Sequence, residues 1–223
     1  MNKELFIRAI TRFCAGVLIV GLLLFLPAGT FRYLQAWLLI GILFVPMFIA
    51  GLVMMGKNPE LLKKRLNARE KESEQREVIL FSGIMFLAAF IAAGLSFRFG
   101  CLMLPWAVSI VGAVLFLAAY ALYAEVLREN TYLSRTIEVQ EDQKVIDTGL
   151  YGIVRHPMYM ATVILFLAMP LVLGSVISFV IMLCYIPLII KRIRNEETVL
   201  ERDLPGYMEY KQKVRFRLIP FIW

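Results

Sequence analysis

The chain has 223 residues, of which 60% are hydrophobic and 18% are charged, and its formal net charge is +7. A soluble domain of this length carries more charge and fewer unbroken apolar runs, so the composition excludes an ordinary soluble fold and indicates a membrane protein. The excess of basic residues does not indicate a nucleic-acid partner, because these residues are concentrated in segments that flank the apolar runs.

Four apolar runs in the first part of the chain each approach the roughly 20 apolar residues that a membrane-spanning helix requires. We predict spanning helices at about residues 13–28, 34–55, 78–97 and 102–126. A fifth run, residues 158–190, is too long for one crossing and is interrupted by Gly174 and Ser175, which predict a turn. The expected fold is therefore an all-α integral membrane protein with six spans, including a helical hairpin, or with five if the hairpin only re-enters.

Basic side chains are concentrated in three segments: before the first apolar run, in the charged loop of residues 56–77, and from Lys191 onward. With six spans, all three segments lie on one side of the membrane, which the positive-inside rule assigns to the cytoplasm. We therefore predict a multi-pass protein of a bacterial inner membrane or an equivalent membrane, with both termini cytoplasmic and membrane lipids as partners. Residues 58–67 have the pattern of a short amphipathic helix against the headgroups.

The two parts of the chain differ in chemical character. Residues 1–128 contain spans, tight turns and one charged loop, whereas most polar residues that could do chemistry lie in residues 129–223. We therefore expect any chemical site to lie in this second part. This part should contain, in chain order, short extended pieces at 135–139 and 144–147, a helix at about 188–203, a break at Pro205 and Gly206, a short helix, and an apolar end (RLIPFIW) that docks on the membrane interface.

The stretch GLYGIVRHPMY, residues 149–159, contains the only histidine of the chain. A single histidine at a membrane boundary is usually an interfacial polar group, and tyrosines there belong to the aromatic belt. Here, however, Arg155, His156 and Tyr159 are followed, after the hairpin, by a second polar group in residues 192–197. Because a hairpin returns its exit beside its entry, we expect both groups at the same mouth of the membrane domain.

The second polar group has helical spacing. Arg192 and Glu196 are four residues apart and share one helix face, whereas Arg194 and Glu197 are three apart and share another. Two interpretations remain open from spacing alone. The pairs could be exposed salt bridges worth a few tenths of a kcal/mol each, or a polar face turned toward a pocket, where glutamate takes a donor and arginine holds an anion.

Several kinds of chemistry are disfavoured by what the sequence lacks. It contains no nucleophile-elbow, zinc-protease, phosphate-loop or dinucleotide-binding motif. The three cysteines are scattered in or beside apolar runs, without a histidine or aspartate neighbour. We therefore expect neither a disulfide framework nor a bound metal.

The residues around the hairpin resemble a known enzyme family. VIDTGLYGIVRHPMYM, followed after the hairpin by RIRNEETVLERDLPGYMEYKQKVRFRLIPFIW, is similar to the isoprenylcysteine carboxyl methyltransferase superfamily, which includes related phospholipid N-methyltransferases. The similarity extends from about Glu129 to Trp223. It implies an integral membrane enzyme that transfers a methyl group from S-adenosylmethionine to a lipophilic acceptor, with the cofactor bound in a cytosolic pocket.

The resemblance also implies roles for individual residues. Cofactor-binding positions of the family fall on Gln143, Lys144, Val145, Ile146, Tyr151, His156, Pro157, Met158, Tyr159 and Glu196. Arg192 matches an arginine near the methyl acceptor, and we expect Arg192 and Arg155 to be catalytic residues. Arg192 and Arg194 would bind an anionic group of the substrate. Tyrosine faces suit the sulfonium cation or the adenine ring of the cofactor.

The acceptor decides whether a base is needed. A carboxylate, with an ordinary pKa near ~4, is already ionised and needs only an arginine to hold it, whereas a phospholipid ammonium must first lose a proton. We predict methylation of a carboxylate such as that of a prenylated cysteine, with phospholipid N-methylation as the alternative. Two interpretations from other classes stay open: a non-catalytic scaffold or lipid-binding protein of the same fold, and a small transporter.

Overall fold

The computed structural model describes residues 3–57, 59–66, 73–133 and 139–223. Within these residues the chain forms nine α-helices, one 3₁₀ turn at Gly149–Gly152 and no strand. The helices are α1 (Lys3–Ala28), α2 (Leu34–Lys57), α3 (Pro59–Leu66), α4 (Ser73–Phe99), α5 (Trp106–Glu129), α6 (Pro157–Leu173), α7 (Val176–Met182), α8 (Tyr185–Asp203) and α9 (Tyr207–Lys213). The predicted all-α class is confirmed.

Five helical segments of the described chain are long and apolar enough to cross a membrane, and the protein is a multi-pass integral membrane protein. They are Glu4–Ala28, Leu34–Lys57, Glu77–Phe99, Trp106–Glu129 and Val176–Asp203, the last formed by α7 and α8 together. The entry limb of the hairpin, α6, is shorter than these five. Its 17 residues extend about 26 Å at the usual helical rise of about 1.5 Å per residue.

The hairpin turns where the sequence predicts. α6 ends at Leu173 and is capped by Gly174, whose φ of 68° lies in the left-handed region that favours glycine, and whose amide donates to the Leu171 and Pro170 carbonyls. Ser175 then caps α7, because its hydroxyl accepts a hydrogen bond from Ser178 N at 3.2 Å.

Hydrogen bonds fasten the hairpin turn to the turns between earlier helices. Leu104 N, between α4 and α5, donates to Gly174 O at 2.8 Å. The hydroxyl of Tyr33, which is fully buried just before α2, donates to Leu173 O at 2.6 Å. The connections α1–α2, α4–α5 and α6–α7 therefore meet at one end of the helix bundle, called the turn end below.

The exit limb of the hairpin is interrupted between α7 and α8 at Leu183 and Cys184. Pro187 explains the interruption, because proline has no N–H to donate to Leu183 O and its ring crowds that carbonyl. Proline is tolerated in the first turn of a helix, where amides have no helical partner. α8 therefore begins at Tyr185, before Pro187, and not at the predicted residue 188.

Two predictions for the connecting segments have different outcomes. The short helix of the charged loop is present as α3. The extended piece at 144–147 forms no strand, and Val145 packs instead on a cluster that includes Leu204 and Tyr207. Residues 135–138, most of the other extended piece, lie outside the described residues.

The helices α5 and α6 pack closely at Gly112. A Cβ at this position would lie 2.8 Å from both Leu171 Cβ and Val172 N, which is closer than non-bonded atoms allow. Replacing Gly112 by alanine is expected to lower the unfolding free energy by about 1–3 kcal/mol, because α6 must move away.

The matched control for this substitution is Gly41→Ala. A Cβ at Gly41 meets no atom of the described residues within 4 Å, so alanine there should only improve helix propensity, by up to about 1 kcal/mol. Thermal unfolding in detergent measures both variants. Equal shifts of Tm would contradict the close approach of α5 and α6 at Gly112.

Candidate active site

A buried carboxylate on α8 links the residues just before α6 to the segment after α9. Glu197 is 3% exposed and accepts hydrogen bonds from Arg155 Nε and Arg217 Nε, both at 2.8 Å. Its Oε1 also lies 3.3 Å from His156 Nε2. This network holds the start of α6 against α8, so the two polar groups that the hairpin separates in the sequence are in direct contact.

Residues 214–217, which follow α9, complete this network. Two carbonyls of the segment accept hydrogen bonds from Arg155 Nη1, at 2.7 and 2.8 Å. The backbone amides of Arg155 and His156 donate to Phe216 O and Arg217 O, both at 2.9 Å. The segment therefore supplies the additional acceptors that a buried guanidinium requires.

Glu196 and Arg192, on a neighbouring face of α8, both contact Tyr159 of α6. The Tyr159 hydroxyl donates to Glu196 Oε2 and accepts a hydrogen bond from Arg192 Nε at 3.0 Å. The Arg192 guanidinium also lies 5.9 Å from the centre of the Tyr159 ring. Unlike Glu197, both Glu196 and Arg192 are partly exposed, so they can reach a bound molecule while Tyr159 fixes their positions.

An open pocket adjoins both polar groups, between α6, α8, α9 and the loop that follows α5. The predicted site residues that line it are Gln143, Lys144, Val145, Ile146, Tyr151, Arg155, His156, Met158, Tyr159, Arg192 and Glu196. Within the described ranges, no group of three or more histidine, cysteine or acidic side chains is arranged to hold a metal ion.

Three tyrosines of the pocket wall are buried. Tyr210 donates its hydroxyl to Tyr151 O at 2.7 Å, and Asn130 Nδ2 donates to the Tyr151 hydroxyl at 3.1 Å. The Tyr207 hydroxyl is buried and has no hydrogen-bond partner among the residues that the structure describes. Burial raises the pKa of Tyr151, Tyr207 and Tyr210 above the usual tyrosine value, so all three hydroxyls stay protonated and able to donate.

The part of the chain that builds most of this site matches a known family. Residues 110–202 match the model of the isoprenylcysteine carboxyl methyltransferase (ICMT) family. The resemblance to this family is confirmed. The match extends from α5 to near the end of α8. It therefore contains the GLYGIVRHPMY stretch and the polar residues 192–197 of α8. It supports methyltransferase chemistry in general.

A curated protein is also similar to part of the chain. Delta(14)-sterol reductase TM7SF2 of Mus musculus is 29% identical over 91 residues, which are 40% of this chain and 22% of that protein. The chain therefore spans about a fifth of the length of this relative.

Arg155 lies at the pocket, but its contacts give it a positioning role. Its side chain is 4% exposed, and its Nε and Nη1 are committed to Glu197 and to backbone carbonyls. A guanidinium held in this way cannot turn toward an acceptor without leaving the Glu197 charge under-compensated in a buried place. This geometry favours a positioning role for Arg155 over the catalytic role expected from the sequence.

Arg194 does not line the pocket, and the Arg194–Glu197 salt bridge, one of the two interpretations of their spacing, is not formed. Arg194 is exposed, whereas Glu197 points into the protein. Successive residues of a helix are about 100° apart, so the face that buries Ile193 and Glu197 turns Arg194 outward. The substrate-binding role expected for Arg194 therefore has no support in the geometry.

Pro157 also lies outside the pocket wall, although the ICMT resemblance places it at a cofactor contact. It is buried at the first position of α6, where proline is favoured because its fixed φ suits the helix start. Its effect on the site is indirect, since it fixes the start of α6 and thereby helps to orient the side chains of His156 and Tyr159.

Several residues of the site were missed by sequence reasoning. The pocket residues among them are Asn130, Tyr132, Leu133, Leu200, Leu204, Tyr207 and Tyr210. The i,i+3 spacing of Tyr207 and Tyr210 on α9 could have indicated a shared face. Arg217 was also missed, although residues 214–218 (VRFRL) alternate apolar and basic, a pattern typical of an extended segment with one buried side.

Proposed function

We propose that the protein is an integral membrane methyltransferase that transfers a methyl group from S-adenosylmethionine to a lipophilic acceptor. The observation that carries the proposal is the contact of Tyr159 with Glu196 and Arg192 beside an open pocket, inside the region that matches the ICMT family. This contact places an acid that suits a cationic group next to an arginine that suits an anionic one. Such a pair suits a cationic methyl donor and an anionic acceptor group.

The chemistry of the pocket residues fits S-adenosylmethionine. Glu196 would bind positive charge of the cofactor, and the faces of Tyr151 and Tyr159 suit its sulfonium or its adenine ring. The backbone of residues 143–146 would border the remaining part of the cofactor. The unpartnered Tyr207 hydroxyl requires an acceptor, which the oxygen and nitrogen atoms of the cofactor would provide. When bound, the cofactor would supply the electrophilic methyl group.

Replacing Tyr207 by phenylalanine tests whether this hydroxyl binds the cofactor, separately from any effect on the stability of the protein. The change removes only a hydroxyl that has no partner in the described part of the chain, so the Tm without cofactor should not fall. Affinity for S-adenosylmethionine should fall roughly 5–100-fold, because an acceptor of the cofactor loses its donor.

The matched control is Tyr120→Phe, which removes a hydroxyl that donates to Leu43 O at 2.9 Å, outside the pocket. This variant should lower the Tm and leave the affinity unchanged. A titration with S-adenosylmethionine, followed by thermal shift, measures both quantities. Unchanged affinity in Tyr207→Phe would rule out a cofactor contact of this hydroxyl.

We propose a carboxylate, such as that of a prenylated cysteine, as the acceptor group. Arg192 can hold a carboxylate, which at neutral pH needs no base. A phospholipid amine needs one, but His156 Nε2 faces Glu197, and Glu196 accepts the Tyr159 hydroxyl. An amine acceptor would need one of these two groups as its base, whereas a carboxylate needs only Arg192, so we choose the carboxylate.

Methyl transfer to defined acceptors tests the proposed activity. Protein in lipid nanodiscs is incubated with methyl-labelled S-adenosylmethionine and either an S-prenylcysteine analogue or phosphatidylethanolamine. Base-labile label, the signature of a methyl ester, is expected in the first acceptor and none in the second, and Glu196→Gln should abolish it. Label in phosphatidylethanolamine alone would overturn the choice of acceptor.

We propose that both limbs of the hairpin cross the membrane, which gives six crossings and places both termini and the pocket on the cytoplasmic side of a bacterial inner membrane or its equivalent. The hairpin turn supports this topology, because it is hydrogen-bonded at the turn end to the α4–α5 connection. The length of α6, about 26 Å, approaches the roughly 30 Å of a hydrocarbon core. Residues 129–223 would then act as the catalytic region and residues 1–128 as its membrane frame.

A second candidate function is the reduction of a lipophilic substrate. The partial similarity to a Delta(14)-sterol reductase favours it. A reductase needs a hydride donor and not a methyl donor. Binding of S-adenosylmethionine without binding of a reduced nicotinamide nucleotide supports methyl transfer, and the reverse pattern supports reduction.

A further inference from the structure

The chain that completes the ionic network continues into a compact turn, residues 218–223. The amides of Leu218 and Ile219 donate to Trp223 O at 2.8 and 3.0 Å, and Trp223 N donates to Ile219 O at 3.1 Å. These backbone bonds close the segment on itself. The 218–223 turn is therefore a defined structure with an inner and an outer side.

The outer side of the 218–223 turn carries large apolar side chains. Phe221 is 89% exposed and Ile222 is 77% exposed. Phe221 also has a φ of 67°, in the left-handed region that a bulky residue rarely adopts, so the backbone is strained where this ring is displayed. On a surface that faces water, exposing two such large apolar side chains together is unfavourable.

The inner side of the same turn packs on the membrane-spanning helices. Leu218 is buried in a cluster with Met85 of α4 and Ile189 of α8, and Trp223 packs against that cluster. Both helices belong to segments apolar enough to cross a membrane. The turn, with its exposed apolar side chains, therefore lies directly beside two of the spans.

Basic and aromatic groups accompany the apolar tip. The Arg217 guanidinium lies 5.3 Å from the centre of the Trp223 ring, and Arg215 is exposed two residues earlier. Tryptophan and arginine at the end of an apolar surface are typical of the level of lipid headgroups. The Arg217 charge is paired with Glu197, but the positive charge of the exposed Arg215 beside apolar side chains matches an anionic membrane surface.

We propose that the 218–223 turn is an interfacial anchor, with Phe221 and Ile222 inserted among lipid headgroups and the adjoining acyl chains. The partner is the lipid surface, because the apolar tip lies directly beside two of the spans and is flanked by arginine. The anchor is linked directly to the site, since Phe216 O and Arg217 O accept the amides of Arg155 and His156. Inserting the turn would fix the pocket at the height of the membrane surface.

Spin labels at single cysteines test the anchor without any cofactor. The three native cysteines, Cys14, Cys101 and Cys184, are replaced by alanine. Phe221→Cys is then labelled in nanodiscs that contain phosphatidylglycerol, and its collision rates with oxygen, which enters acyl chains, and with a water-soluble nickel chelate are measured. Glu209→Cys, on the exposed side of α9, is the matched control, and Ile222→Cys replaces Phe221→Cys if the latter does not fold.

The expected result is a ratio of oxygen to nickel collisions above unity at position 221 and below unity at position 209. The same low ratio at both positions would place the turn in water and overturn the proposal. Exclusion of both reagents at position 221 would mean that protein, such as a second copy of the chain, covers the turn, which also overturns it. Neither outcome depends on whether S-adenosylmethionine binds, so the test is separate from that of the proposed function.

Discussion

Replacing Glu197 by glutamine is expected to lower the free energy of unfolding by about 3–5 kcal/mol, because it removes one partner of a buried ionic network. Glutamine keeps the shape of the side chain but loses its charge, so Arg155 and Arg217 lose the carboxylate that each contacts at 2.8 Å. The Arg155 guanidinium cannot replace the lost carboxylate by turning toward water, since its side chain is 4% exposed. Chemical unfolding of the purified protein in detergent measures the loss.

The control for this substitution is Glu201→Gln, one helical turn further along α8. Glu201 pairs with Lys211, and both side chains are about one third exposed. Loss of such a surface pair should cost less than about 1 kcal/mol. If the two glutamine variants lose the same stability, the network around Glu197 is not the element that holds α6 against α8.

Arg192→Lys should reduce methyl transfer by roughly 10²-fold while changing the affinity for S-adenosylmethionine only a few-fold. Lysine keeps the charge but not the planar fork of guanidinium donors, so the acceptor would be held in a less defined position. Misplacement of a reacting group by about 1 Å can cost a factor of this size. Kinetics with saturating cofactor, together with calorimetry of cofactor binding, separate the two effects.

Arg194→Lys is the matched control, because it is the same change on the same helix. Arg194 is exposed and does not line the pocket, so its replacement should leave both rate and affinity near those of the wild type. An equal loss of rate in the two variants would contradict the assignment of Arg192, and would restore the substrate-binding role that the spacing of Arg194 first suggested.

The membrane architecture could be predicted because its signals are local. A span is a run of apolar residues, and the hairpin turn follows from Gly174 and Ser175, whose conformations end one helix and cap the next. The proximity of the two polar groups follows from the hairpin itself. The start of α8 was harder to predict from the sequence, because Pro187 is tolerated inside a first helical turn and so does not mark a helix boundary.

The internal order of the site could not be predicted, because helical spacing gives the residues that share a face but not the direction of that face. Spacing grouped Glu197 with Arg194, whereas the fold pairs Glu197 with Arg155 and Arg217. Arg217 lies beyond α9 in a segment without helical periodicity, and its position depends on backbone hydrogen bonds to residues 155 and 156. The roles of Arg155 and Glu197 thus depend on a contact that only the three-dimensional structure reveals.

Calorimetric titration of the purified protein with S-adenosylmethionine tests the central claim most directly, namely that the loop before α6 and the polar face of α8 together bind a cationic methyl donor. The wild type is expected to bind one equivalent, and both His156→Ala and Glu196→Ala are expected to bind much more weakly, while Arg194→Ala binds as the wild type does. Binding by the wild type that persists unchanged in both His156→Ala and Glu196→Ala would contradict the site, and no binding by the wild type would contradict the proposed activity.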